Sequence, residues 1–184
     1  MTNSISRGNS ALEGQDALRA RIVAFLPRLR RFCRGLAGGD ADRGDDLLQA
    51  AVERALARLD QWQAGTSLEN WLFRLTTNLH IDQFRSQKTR GITVDIEAAF
   101  ELPGEDELER MEFRSELEAV RGALAAMAPE LNAVMSAVVL DGQSYREAAD
   151  LLGIPIGTVM SRLSRARQFV DAWVRRGPER MVAA

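Results

Sequence analysis

The chain has 184 residues, of which 46% are hydrophobic, 27% charged and only 6% aromatic, a composition typical of one globular domain or two small ones. Its single cysteine, Cys33, excludes a disulfide framework and a thiolate metal cluster. No stretch approaches the ~20 apolar residues needed to cross a bilayer, and the N-terminus lacks the apolar segment of a signal peptide. We therefore expect a cytoplasmic protein without direct membrane insertion.

The net charge of −2 hides an uneven distribution along the chain. Residues 95–112 contain eight acids and one arginine, a net charge of −7, whereas residues 1–94 carry +4 and residues 113–184 carry +1. The segments on either side of the acidic run therefore keep local basic surfaces, so the total charge does not exclude nucleic acid as a partner.

Three helices are predicted in the first half of the chain, after a polar segment, residues 1–15, that we expect to be a disordered tail. Pro27 predicts a kink or a break in the first helix, and residues 35–44 are predicted to be a loop. Thr66 and Glu69 have the spacing of a capping box at the start of the third helix. Apolar residues at helical spacing place the three helices at residues 16–35, 45–59 and 67–87.

Residues 91–111 contain most of the acidic run together with Pro103 and two glycines, which is typical of a flexible linker. The simplest interpretation is a spacer. An acidic mimic of nucleic acid and an extended passage through a partner's channel are the alternatives. Beyond this segment, helices are predicted at residues 112–127 and 130–140.

Residues 144–167 are the most informative part of the sequence and predict two short helices joined by a tight turn. Ser144 and Glu147 have the spacing of a capping box, and Gly153 stands where a helix ends in a left-handed residue. The second helix carries arginines and no acid over residues 158–168. A helix of this kind fits the DNA major groove, where arginine can pair bidentately with guanine. The alternative is a helical hairpin whose basic face is merely solvated.

The predicted fold class is all-α: two small helical domains joined by a flexible acidic linker, the C-terminal one a four-helix domain with a helix-turn-helix. The predicted boundaries are a first domain at residues 16–90, a linker at 91–111, a second domain at 112–176, and tails at 1–15 and 177–184.

Both halves of the sequence resemble one protein family. Residues 45–49 (Asp-Asp-Leu-Leu-Gln), 54–56, 71–74 (Trp-Leu-Phe-Arg) and 78–85 resemble the first domain of extracytoplasmic-function (ECF) sigma factors of bacteria. Residues 141–145 (Asp-Gly-Gln-Ser-Tyr) and 157–167 resemble the last domain of the same family. The two blocks stand in the family's order, with a linker between them.

The resemblance implies a transcription-initiation subunit with no catalytic residues, metal or cofactor of its own. The first domain would bind a coiled coil on the β′ subunit of core RNA polymerase, and would open and read the −10 promoter element. The last domain would lie near the β flap and read the −35 element as duplex DNA. An anti-sigma factor is the expected inhibitor.

The resemblance also suggests residues for each role. The −35 contacts would come from Thr158, Met160, Ser161, Arg162, Ser164 and Arg165. The −10 contacts would come from Trp62, Arg74, Asn78, Arg85, Lys88 and Arg90. Core polymerase would bind Asp45, Asp46, Leu48, Gln49 and Glu53.

Two positions depart from the family's usual pattern. Met160 stands where many members carry Lys or Arg, so a contact to DNA is expected to be lost or altered. Ala50 stands where an acid usually follows Gln49, which weakens a polymerase contact there. His80, the only histidine, is expected at the surface or facing DNA rather than binding a metal.

A stand-alone DNA-binding regulator is the main rival hypothesis, because its output domain would look like residues 112–176. It would have no need of the predicted helices at residues 45–59 and 67–87. An enzyme is disfavoured, because the sequence offers no Cys/His pair, glycine-rich phosphate loop or Ser/His/Asp set.

Overall fold

The computed structural model describes residues 5–89 and 105–176, with the side-chain environments of residues 16–87 and 116–175. All regular structure in these ranges is helical, which confirms the all-α prediction. None of the described helices is long and apolar enough to cross a membrane. The α-helices are α1 (Ile5–Leu36), α2 (Ala41–Ala57), α3 (Leu68–Thr89), α4 (Glu105–Ala126), α5 (Pro129–Met135), α6 (Tyr145–Leu152) and α7 (Ile156–Arg176).

Helices α1, α2 and α3 form the N-terminal half around a cluster of aromatic rings. The Phe73 ring of α3 makes edge-to-face contacts with the rings of Phe25 and Phe32 of α1, at centroid distances of 5.3 and 4.6 Å. Cys33 lies beside them with no exposed surface, and burial raises the pKa of its thiol to about 12. It is the small core residue that its apolar neighbours suggest.

Several helix ends differ from those predicted for this half. Helix α1 begins at Ile5, inside the segment expected to be a disordered tail, and continues across Pro27 without a break. Helix α2 begins at Ala41, because the Asp40 side chain accepts a hydrogen bond from the amide of Arg43. The predicted loop at residues 35–44 is correspondingly shorter.

The capping box predicted for α3 is wrong by one residue. Ser67 is the cap, since its hydroxyl accepts a hydrogen bond from the amide of Asn70 at 3.1 Å. The Thr66 hydroxyl instead donates to the carbonyl of Gln63. The Glu69 carboxylate accepts a hydrogen bond from the Ser67 hydroxyl.

Helices α4 to α7 form the C-terminal half. Helix α4 begins at Glu105, so the last residues of the predicted linker are helical, while residues 90–104 lie outside the described ranges. The predicted helix at residues 130–140 is divided into α5 and a π-helical turn, Ser136–Leu140.

The helix-turn-helix prediction is confirmed, although α7 begins at Ile156 rather than at Thr158 and Arg162 is half-buried rather than fully outward. The Ser144 hydroxyl accepts a hydrogen bond from the amide of Glu147, and the Glu147 carboxylate accepts one from the amide of Ser144. Gly153 ends α6 in the left-handed conformation with a φ of 67°. Val159, Leu163 and Ala166 of α7 are buried, as their spacing indicates.

The two halves are packed against each other around one hydrophobic core. This core contains buried residues of α1, α2 and α3 together with buried residues of α4 to α7. At its centre the Asn132 amide of α5 donates hydrogen bonds to the carbonyls of Leu36 in α1 and Leu124 in α4. The sequence pattern predicts each half but not this contact between them.

Candidate nucleic-acid interface

Helix α7 presents a face without acids along its first three turns. Met160, Ser161, Ser164 and Arg165 are exposed, whereas Thr158 and Arg162 are half-buried. The Ser161 hydroxyl donates a hydrogen bond to the carbonyl of Thr158 at 3.1 Å. The structure therefore brings all six predicted −35 residues together on one helix. Arg162 differs from the others because it lines a cleft against the N-terminal half.

The predicted −10 residues that the structure describes lie in different surroundings. Arg74 and Asn78 are exposed and lie one turn apart on α3. Arg85 lies further along the same helix, where its guanidinium is 3.3 Å from the carboxylate of Glu130 in α5. The side chain of Lys88 and all of Arg90 lie outside the described ranges.

Trp62 is a half-buried residue rather than an open platform. Its indole packs against a second core cluster that includes Leu68 and Leu72. The guanidinium of Arg21 lies 5.9 Å from its ring centroid. The indole nitrogen is buried and has no hydrogen-bond partner among the described residues. Only part of this side chain is therefore accessible to a base.

A groove between the end of α2 and the middle of α3 contains two arginines that the sequence analysis missed. Arg54 lies in the last turn of α2 and Arg58 is the C-cap residue that follows it, and both line this groove with Arg74 and Asn78. Its volume is about 290 Å³, and Trp71 forms an apolar part of its wall. The i, i+4 spacing of Arg54 and Arg58 was the available signal, but only the helix packing shows that both face Arg74.

The predicted polymerase-binding residues lie on α2 in two different environments. The Asp45 carboxylate pairs with Arg30 and Arg34 of α1, and hydrogen bonding to Arg30 holds its pKa well below the usual range. Asp45 therefore already forms ion pairs between α2 and α1, which leaves its carboxylate less available to a partner protein. Leu48 is half-buried against the core.

The rest of this predicted surface is exposed. Asp46, Gln49 and Glu53 lie on the open face of α2, where the Gln49 amide donates a hydrogen bond to the Glu53 carboxylate at 3.0 Å. This face carries negative charge and hydrogen-bonding groups within two helical turns. It is suited to a basic partner helix.

His80 lies in a different place from the one expected. It is half-buried in a cleft of about 340 Å³ that Arg43 and Asp46 also line, rather than facing out with Asn78. Burial lowers its pKa to about 4, and the nearby charge of Arg43 adds to the effect. Within the described ranges no three His, Cys, Asp or Glu side chains form a possible metal site.

Comparison with known proteins identifies the family. Residues 22–77 match the family described as the Sigma2 domain of PhyR, and residues 117–170 match Sigma-70, region 4. Over 158 residues the chain is 35% identical to the ECF RNA polymerase sigma factor EcfG of Rhodopseudomonas palustris, covering 85% of this chain and 84% of EcfG. The chain belongs to the ECF RNA polymerase sigma factors. Sigma factors are initiation factors without catalytic activity of their own, so the protein is not an enzyme.

Other relatives of this ECF sigma factor agree. SigW of Bacillus subtilis is 26% identical over 174 residues, which are 88% of this chain and 90% of SigW. The sigma factor RpoE of Bartonella quintana, solved in complex with the anti-sigma factor NepR, is similar with a TM-score of 0.60 at 25% identity, covering 86% of this chain and 97% of that one. CnrH, solved with the cytosolic domain of CnrY, shares the fold with a TM-score of 0.58 at 23% identity, covering 89% of this chain and 90% of that one.

Proposed function

We propose that this ECF sigma factor directs core RNA polymerase to promoters by using three surfaces. Helix α7 reads the −35 element, the groove between α2 and α3 binds the opened −10 strand, and the exposed face of α2 binds polymerase. The observation that carries this proposal is the acid-free face of α7 on a helix-turn-helix, in a chain whose other half matches a sigma2 domain.

The −35 role is supported by the shape and charge of α7. A single helix fits the major groove of B-form DNA, and arginine is the side chain that most often reads guanine there. Arg165 is exposed, so it can reach a base edge without any change in the fold. Met160 is 55% exposed on the same face. It offers an apolar contact, such as one to a thymine methyl group, in place of a charged one.

The −10 role is supported by the composition of the groove between α2 and α3. Single strands are bound by positive charge along the backbone and by side chains that stack on or bind unpaired bases. Arg54, Arg58 and Arg74 supply the charge, and the Asn78 amide supplies both a donor and an acceptor. Gln61 also lines this groove. The proposed site continues from Gln61 into the loop at residues 61–67, which includes the accessible edge of Trp62.

The polymerase-binding role is assigned to Asp46, Gln49 and Glu53 on α2, with the exposed part of Leu48 as an apolar anchor. Asp45 contributes indirectly, because its pairing with α1 fixes the orientation of α2. A coiled coil of β′ and the β flap are the polymerase elements that the family resemblance implies. We place this activity in the cytoplasm, where polymerase and chromosome meet.

Regulation by an anti-sigma factor is part of the proposal. Its support is that RpoE of Bartonella quintana and CnrH were each solved bound to a regulator: the anti-sigma factor NepR and the cytosolic domain of CnrY. The inhibitor of this chain would cover one or more of the same three surfaces.

Run-off transcription tests the function directly. The purified chain is added to core polymerase on fragmented genomic DNA, and the transcripts are sequenced to reveal a shared upstream motif. We expect discrete start sites that disappear when Asp46→Arg removes the negative charge from α2, while helix content stays unchanged. Glu118→Arg, at an exposed position of α4 that belongs to none of the three proposed surfaces, is the matched control. Promoter binding without polymerase, together with no polymerase-dependent transcript, would favour the stand-alone regulator.

A further inference from the structure

The cleft that contains His80 lies where the end of α1, the first turns of α2 and the second half of α3 meet. Its volume is about 340 Å³, and sites for small molecules typically measure about 300–1,000 Å³. Leu36 and Leu47, both buried, and the half-buried Phe84 supply apolar wall. The cleft can therefore cover a small hydrocarbon group.

Arg43 of α2 brings an unpaired positive charge to this cleft. Its side chain is exposed, and its guanidinium pairs with no carboxylate in the part of the chain that the structure describes. Arg30 of α1, by contrast, is already paired with Asp45. A guanidinium presents its N–H groups as a planar fork that matches the two oxygens of a carboxylate. Arg43 is therefore available to bind an anion.

His80 adds a hydrogen-bonding group beside this charge. Burial lowers the pKa of His80 to about 4; the charge of Arg43 lowers it further, while that of Glu130 in α5 acts in the opposite direction. The imidazole is therefore neutral at about pH 7 and carries one N–H donor. It can donate a hydrogen bond to an anion held by Arg43.

Asp46 limits the negative charge that the cleft can accept. It lies three residues after Arg43 on the same side of α2, it also lines the cleft, and its carboxylate forms no ion pair with the other described residues. A second negative charge on a ligand would be repelled by this carboxylate. The cleft is therefore suited to a single carboxylate rather than to a dicarboxylate or a phosphate dianion.

We propose that this cleft is a binding site for a small monocarboxylate with an apolar or aromatic body. Arg43 binds the carboxylate through its fork, and His80 donates a hydrogen bond to it. Leu47 and Phe84 cover the apolar body. Such binding requires neither promoter nor polymerase, so it can be measured on the free chain.

The test follows the imidazole signal of His80 by NMR, which is unambiguous because the chain has one histidine. Benzoate is the probe, and it is added to the full chain at about pH 7, where the imidazole is neutral. Benzamide, which has the same shape without the charge, and inorganic phosphate, which has the charge without the apolar body, are titrated in parallel.

Two substitutions at exposed positions of the cleft change its charge without touching the core. Arg43→Gln removes the cation, and Gln87→Glu adds a carboxylate that repels the probe. Arg31→Gln, at an exposed position of α1 that does not line the cleft, is the matched control. The helix content of all three variants should match that of the unaltered chain.

We expect benzoate to shift the His80 signal saturably, with a dissociation constant on the order of 1 mM, and to show nuclear Overhauser contacts between its ring and the imidazole. Benzamide and phosphate should bind at least about tenfold more weakly, because each lacks one half of the recognised group. Arg43→Gln and Gln87→Glu should each weaken benzoate binding by about tenfold or more, whereas Arg31→Gln should leave it unchanged.

A His80 signal that stays fixed throughout the benzoate titration would refute the site. Equal affinity for benzamide would show that the carboxylate is not recognised, and equal affinity for phosphate would show that the apolar body is not. A loss in Arg31→Gln as large as that in Arg43→Gln would also refute the proposal, because binding would then follow the total charge of the chain rather than this cleft.

Discussion

At the scale of single residues, Arg165 is the most direct test of −35 reading. It is exposed on the acid-free face of α7 and is not paired in any ion pair of the described residues. If its guanidinium is bidentate to guanine, Arg165→Ala should cost about 1–3 kcal/mol in discrimination between the preferred and a mismatched −35 element. The measurement is competitive binding of holoenzyme to promoters that differ by one base pair. A uniform, salt-dependent loss on all sequences would instead make Arg165 a phosphate contact.

His80 provides a pH-dependent test of the cleft between α2 and α3. An unfolded histidine has a pKa of about 6.5, whereas burial and Arg43 lower the pKa of His80 in the folded chain to about 4. Between these values the unfolded chain binds a proton that the folded chain does not, so stability falls as the pH falls through this window. His80→Gln should flatten the dependence of the unfolding free energy on pH between about 6.5 and 4. An unchanged slope in urea titrations across this range would contradict the assignment.

The sequence identifies some of these residues and not others, for a physical reason. Arg165 is found from helical periodicity, because the buried Val159, Leu163 and Ala166 leave it outward. Arg54 and Arg58 belong to the candidate groove only because α2 packs across α3 at that point. Helical periodicity predicts which side of a helix a residue lies on, but it does not predict which other helix that side contacts.

At the scale of helices, Gly44 lies in the first turns of α2, within the segment that the sequence predicted to be a loop. Glycine is unfavourable inside a helix by about 1 kcal/mol relative to alanine, so the sequence favours a loop there. In the structure a Cβ atom at Gly44 would lie 2.8 Å from the Cα of Arg34. The close approach of α1 and α2 compensates for the poor helix propensity.

Gly44→Ala should therefore destabilise the chain, despite its gain in helix propensity, because α1 and α2 must move apart. Gly157→Ala is the matched control, since a Cβ atom there meets nothing within 4 Å. The control should be neutral or should stabilise the chain by up to about 1 kcal/mol. Equal effects of the two substitutions in chemical denaturation would contradict the tight crossing of α1 and α2.

The cap of α6 is the helix end that the sequence predicts best, because its signals are local. Ser144→Ala removes the hydroxyl that accepts from the Glu147 amide and should cost about 1 kcal/mol of folding stability. Ser86→Ala, at an exposed position in the interior of α3, should change little. If Ser144→Ala lowers the unfolding free energy no more than Ser86→Ala does, the capping box does not stabilise α6.

At the scale of the whole molecule, the contact between the two halves was not predictable from local patterns. Arg28 of α1 donates a hydrogen bond to the carboxylate of Asp141 at 2.7 Å, although 113 positions separate the two residues and no motif indicates their pairing. Asn132 reads as an ordinary polar residue of a short helix, yet it is 1% exposed and bonded to both halves. Contacts of this kind depend on how complete helices fit together in three dimensions, which local sequence patterns do not encode.

The shared core predicts one cooperative unfolding transition for the free chain. Asn132→Ala should lower the unfolding free energy of both halves together by about 1–3 kcal/mol, because it leaves two buried carbonyls without donors. Trp173 reports on the C-terminal half, whereas Trp62 and Trp71 report on the other. Fluorescence of Trp173→Phe and of Trp62→Phe/Trp71→Phe during urea unfolding should therefore give coincident curves. Separate curves would show that the halves fold independently.

If the proposed function is right, two helical surfaces of one chain bind two separated promoter elements in the holoenzyme. Footprinting of the reconstituted holoenzyme on a promoter found by run-off transcription tests this claim most directly. We predict two protected blocks about 25 base pairs apart, with Arg162→Ala/Arg165→Ala removing the upstream block and Arg54→Ala/Arg74→Ala weakening the downstream one. A single protected block, or loss of both blocks with either pair of substitutions while polymerase binding persists, would contradict the account.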